Sequence, residues 1–108
     1  MTEREERIGR NEVLFREVNE RIEETQSGQG VAGYFDFLCE CGDKDCVEQV
    51  ALTLAEYEDI RSEATQFVVR PGHEVPDIER VLQTGDRFSV VQKEEEAAVF
   101  AEEHDPRS

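Results

Sequence analysis

The sequence predicts an α+β domain: a long N-terminal helix, a small antiparallel sheet stapled at a cysteine turn, and short helices after that hairpin and at the C-terminus. Three observations carry this reading. Apolar residues near the start recur at helical spacing, the period drops to two at Tyr34, and three cysteines fall within eight residues where the strand turns. At 108 residues the chain has the length of one domain, 1–108, which divides into a charged helix over 1–26, a core over 34–93 and an acidic helix or tail over 94–108. A chain of this size buries roughly two-thirds of its unfolded surface, enough for one modest core.

The first helix is read over 3–26. Ile8, Phe15, Val18 and Ile22 form a narrow stripe, with Leu14 four residues before Val18. Four glutamates stand four residues before an arginine (Glu3–Arg7, Glu6–Arg10, Glu12–Arg16, Glu17–Arg21), each pair worth only about 0.2–0.5 kcal/mol in the favourable orientation. Such a helix is expected to dock by its stripe, which could also pair two copies weakly. Gln26 to Gly30, with two glycines in three residues, ends it.

From Tyr34 to Cys41 the alternation places Phe35, Phe37, Cys39 and Cys41 on one face of a strand. Gly42-Asp43-Lys44-Asp45 is turn chemistry, and Val47 to Leu52 returns as a second strand. Thr53 followed by Glu56 is a capping box opening a helix over 54–64, with Leu54, Tyr57, Ile60 and Ala64 on one face. Phe67 to Val69 is a third strand, stopped by Pro71-Gly72, and Val75-Pro76 keeps the chain irregular. Ile78 to Leu82 and Phe88 to Val91 flank Thr84-Gly85-Asp86 as an antiparallel hairpin. Glu94 to Glu103, rich in alanine, forms the last helix, and Pro106 closes it.

Composition excludes several function classes. The chain carries 27 acids against 12 bases, a net charge of −15, whereas nucleic-acid affinity comes from clustered Lys and Arg that release counterions. Anionic membrane surfaces are disfavoured for the same reason. No stretch approaches the roughly 18 apolar residues of a spanning helix, and charges occupy the place of a signal peptide's apolar region, so the expected location is cytoplasmic. The acidity is concentrated, with nine acids against two bases over 35–66 and six against one over 94–108. A basic protein is the partner this pattern fits. There is no phosphate loop and no Ser-His-Asp set, so no enzyme is expected.

The chemistry-bearing motif is Cys39-x-Cys41-x4-Cys46. Residues i and i+2 of a strand point to one side, and the turn at Gly42 returns Cys46 alongside them. Three converging thiolates repel one another without a cation, and zinc is the default ion for a cysteine-rich site in a reducing compartment. A structural site wants a fourth ligand. His73, in Arg70-Pro71-Gly72-His73-Glu74, is preferred because proline and glycine fix a turn directly after a strand; His104 lies in the tail, and the hard oxygens of Asp43 or Asp45 suit a three-sulfur set less well. A thiol redox site and inert buried cysteines are the alternatives. A Cys39–Cys41 disulfide is disfavoured, since parallel side chains at i and i+2 stand about 6.6–6.8 Å apart in extended chain.

The string Cys39-Glu-Cys41-Gly-Asp-Lys-Asp-Cys46 resembles the CxCxxxxC knuckle of post-SET segments in lysine methyltransferases, a resemblance that carries the local zinc geometry and not the methyltransferase activity. More broadly, RNEVLFREVNERI, FLCECGDKDC, LTLAEYEDIR, FVVRPGHEVP and VVQKEEEAA resemble a family of small bacterial proteins of actinobacterial type with a CxCxxxxC…PGHE signature, which brings no known activity. That resemblance implies Cys39, Cys41, Cys46 and His73 as metal positions. The expected function is a zinc-stabilised, non-enzymatic protein-interaction or regulatory module; a zinc-thiolate redox switch is the alternative, and an acidic DNA mimic a more distant one.

Overall fold

In the computed structural model the chain runs helix α1 (Glu3–Ser27), strands β1 (Tyr34–Leu38) and β2 (Gln49–Thr53), helix α2 (Leu54–Arg61), strands β3 (Gln66–Val69), β4 (Glu79–Thr84) and β5 (Ser89–Lys93), and helix α3 (Glu95–Glu103). Residues 2–27, 33–76, 78–105 and 107 are described. The loop expected to end the first helix falls largely on 28–32 and, like Pro106, lies outside them.

The α+β class holds, but the strands form two sheets where one was expected. β1 and β2 make an antiparallel hairpin that pairs Phe35 with Leu52 and Phe37 with Val50. The second sheet has the order β3-β5-β4, also antiparallel, with a register shift between Val81 and Gln83. The reason lies just before the cysteine turn. Asn19 of α1 donates to the Leu38 carbonyl at 3.0 Å and accepts from its N–H at 2.8 Å, and Glu40 N–H donates to Val68 O at 2.8 Å. β1 ends at Leu38, short of Cys41: Cys39 N–H makes one more bond across the hairpin, to Glu48 O, and from Glu40 the chain attaches to β3.

The Thr53–Glu56 capping box forms as predicted, side chain to backbone in both directions. α2 ends at Arg61, three residues before the expected 64, because Ser62 N–H and Glu63 N–H tighten into bonds to the third preceding carbonyl and Ser62 Oγ also donates to Asp59 O at 2.6 Å. Tyr57 stacks on Phe37 with centroids 4.6 Å apart. Both rings join Val50, Leu52, Ile60, Val68, Phe88 and Val90 in one apolar cluster, against which Phe35 packs. On the other face of β3 and β5, Phe67, Val69 and Val91 pack with Cys39, Cys41 and Ala101.

α1 departs from expectation. The stripe docks it only in part: Leu14 and Val18 are exposed, and Ile8, Phe15 and Ile22 are half-buried, with Ile22 packed against the apolar cluster. The buried face is Glu12, Arg16, Asn19 and Glu20, with Arg16 1% and Asn19 0% exposed. Nor does Glu12 pair with Arg16. Glu12 and Glu79 both bond the buried Lys93, while Arg16 donates to the carbonyls of Ala64 and Gln66 and lies over the Phe67 ring. Glu20 receives Arg61 and Arg107. Of the four predicted pairs, Glu6–Arg10 forms among the described residues. The physical reason is that α1 crosses strand ends and a helix end, where open carbonyls and buried cations need polar partners that an apolar stripe cannot supply.

Candidate metal centre

Three segments supply the centre. Cys39 follows β1, Cys41 and Cys46 bracket the turn that leads to β2, and His73 follows β3. The turn is built locally. Cys46 N–H donates to Asp43 O at 3.0 Å, Asp45 N–H to Asp43 Oδ1 at 2.9 Å, and Cys39 N–H to Glu48 O at 3.2 Å. Gly42 adopts φ +81°, and a Cβ there would stand 2.6 Å from the Ile8 side chain and 2.8 Å from the Ile8 carbonyl. Only glycine lets the turn lie this close to α1. Asn11 then fixes the turn by donating to Gly42 O at 2.9 Å. His73 is set by the Arg70–His73 turn, in which its N–H reaches Arg70 O at 2.9 Å and Gly72 takes φ +92°.

One ligand atom from each of Cys39, Cys41, Cys46 and His73 lies within 4.8 Å of all the others. His73 Nδ1 stands 3.5 Å from Cys39 Sγ and 3.6 Å from Cys46 Sγ. A tetrahedral ion with sulfur at about 2.3 Å and nitrogen at about 2.0–2.1 Å places the two about 3.6 Å apart, so these spacings are compatible with zinc. His104 is elsewhere: its ring stacks on Phe100 and its Nδ1 bonds Phe100 O at 2.9 Å. Asp43 and Asp45 are not in the group either. The three cysteines are free, Cys39 and Cys41 included.

Electrostatics show why the thiols call for a cation. A hydrogen bond to Cys41 and then burial push the Cys39 thiol up, burial raises Cys46, and the Cys39 hydrogen bond holds Cys41 down at about 5. Backbone donors favour thiolates nonetheless: Arg70 N–H reaches Cys39 Sγ at 3.2 Å, and the amides of Asp43 and Glu48 act in the same sense on Cys41 and Cys46. Amide donors to each sulfur are what an outer shell supplies to metal-bound thiolates.

Sequence reasoning missed the layer behind the cysteines. Glu40, between Cys39 and Cys41, is 0% exposed. It accepts from Asn19 at 2.9 Å, from Val68 N–H at 3.1 Å and from the Tyr57 hydroxyl at 3.4 Å. Burial raises its pKa, and the charge of nearby Arg16 opposes that. The available signal was asparagine at positions 11 and 19 inside a helix, since asparagine is a poor mid-helix residue unless its amide has tertiary work. Among the described residues no helix is long and apolar enough to cross a membrane. No family model, curated protein or solved structure matches the chain.

Proposed function

We propose that the chain is a small zinc-binding protein whose metal is structural and whose role is a non-enzymatic interaction or regulatory one. The carrying observation is the convergence of three sulfurs and one nitrogen from three separate segments to within 4.8 Å of one another. Zinc there closes a four-ligand site, joins the β1–β2 hairpin to the end of β3, and holds the turn on which Asn11 rests. A closed four-ligand shell leaves no coordination position for a substrate, which favours a structural role over catalysis. The test is elemental analysis of protein purified without added metal: about one zinc per chain is expected. The zinc should be lost in Cys41→Ser, weakened in His73→Ala and kept in His104→Ala. Metal-free wild type, or loss of metal only in His104→Ala, would overturn the assignment.

The partner read from charge is a basic protein. Asp36, Asp43, Asp45, Glu48, Asp59 and Glu63 are exposed around the metal segment. Attraction to a cationic surface is screened as the Debye length falls from about 10 Å at 0.1 M salt to about 3 Å at 1 M. Binding should therefore weaken with salt, and duplex DNA should show no affinity at physiological ionic strength. A second reading, a zinc-thiolate redox switch, is favoured by one feature: Cys46 and His73 are only half-buried, and a cleft reaches Cys41 and His73 from the solvent side. Oxidant-induced zinc release with a reversible loss of fold would separate it from a purely structural role.

A further inference from the structure

A cleft of about 500 Å³ lies between the first turns of α1 and the cysteine turn, and the metal ligand Cys41 forms part of its wall. Its charge is opposite to that of the chain. Arg4, Arg7 and Lys44 line it against a single carboxylate, Asp43, one of whose oxygens already accepts Asp45 N–H at 2.9 Å. Elsewhere cations are matched to acids, as in Arg61 with Glu20 and Asp105, Lys93 with Glu12 and Glu79, Arg87 with Glu56, and Arg107 with Glu20 and Glu58. Arg7 and Lys44 have neither an ion-pair nor a hydrogen-bond partner among the described residues. Arg21 and Arg80 share that state but do not line this cleft.

Two unpaired cations from different segments, brought to one concavity in a chain with 27 acids, make a local positive field that nothing in the fold uses. Apolar side chains, Ile8 and Val75, complete the wall. We propose that this cleft binds a small organic anion, its phosphate or carboxylate head held by Arg7 and Lys44 and its apolar body laid against Ile8 and Val75. An arginine fork and a lysine ammonium from two sides suit an oxyanion head of either kind. A zinc-loaded centre of three thiolates and a neutral imidazole carries one net negative charge and Asp43 another, against the positive charges of Arg4, Arg7 and Lys44. The inference goes beyond the metal reading and does not require it.

The experiment is an NMR titration of the full chain as purified, with its metal content measured alongside, using phenyl phosphate, benzoate and uncharged benzyl alcohol as probes. Saturable shifts at the amides of Arg7, Gly42 and Lys44 are expected for at least one anion, and whichever binds names the head group. The Arg7→Gln/Lys44→Gln double variant should weaken binding by about tenfold or more, while its amide spectrum away from the cleft and its metal content stay as in wild type. No saturable shift with either anion, equal binding of benzyl alcohol, or unchanged affinity in the double variant would overturn the proposal. Metal content reports separately on the zinc assignment, so one can fail without the other.

Discussion

The cysteine turn and the buried face of α1 meet at Gly42 and Glu40, yet they are organised on opposite principles. At the turn, three of four donors lie within eight residues, and their chemistry can be satisfied by one ion. Along α1, each buried charge finds its partner far away in the chain: Lys93 reaches Glu12 across 81 residues, and Arg107 reaches Glu20 across 87. Local chemistry of the first kind can be read from spacing. Dispersed chemistry of the second kind looks, in sequence, like an ordinary solvated helix.

The largest expected effect is on the turn. Cys39→Ser removes a buried sulfur clustered with Phe67, Val69 and Val91, and it is expected to cost on the order of 5 kcal/mol or more, or to prevent folding, because binding and folding are linked at such sites. Thermal or denaturant unfolding checks this. A chelator should reproduce the effect in wild type and add nothing in the variant.

Next is Arg16. Arg16→Leu takes the donor from the Ala64 and Gln66 carbonyls and removes the nearby charge that offsets the burial of Glu40, and is expected to cost on the order of 3 kcal/mol, with Glu40→Gln in the same chain recovering part of the loss. A double-mutant cycle measures the coupling. Additive effects would mean that the two regions stand independently.

Glu12 makes a pH prediction. Burial lifts its pKa from 4.5 to about 8 against the opposing charge of Lys93, which Glu79 shares. The folded chain therefore holds a proton that the unfolded chain has released. This contribution is complete below pH 4.5 and is lost as pH rises from there through about 8. Glu12→Gln should flatten that part of the stability profile. A profile identical to wild type would place the titration elsewhere.

Smaller effects delimit the comparison. Thr53→Ala opens the capping box of α2 and should cost about 1 kcal/mol. Leu14→Gln, at an exposed position of the stripe, should change stability by no more than about 0.5 kcal/mol. A larger loss would restore the stripe as a docking face.

These contrasts explain what was legible. The capping box, the β4–β5 hairpin and the gathering of Cys39, Cys41, Cys46 and His73 follow from short-range spacing and turn chemistry. Hydrophobic periodicity does not reveal the polar face of α1, because it takes polar residues to be outside, whereas Glu12, Arg16 and Asn19 are buried with partners supplied by β3, β5 and the end of β1. The split into two sheets is invisible for the same reason: it rests on the bond from Glu40 N–H to Val68 O, a contact that no local pattern encodes.

Zinc-edge X-ray absorption on protein purified without added metal tests the central claim most directly. The account predicts three sulfurs at about 2.3 Å and one nitrogen at about 2.0–2.1 Å, with the nitrogen signal lost in His73→Ala and retained in His104→Ala. A shell of four sulfurs, which one chain with three cysteines cannot supply, or a shell dominated by oxygen, would contradict it.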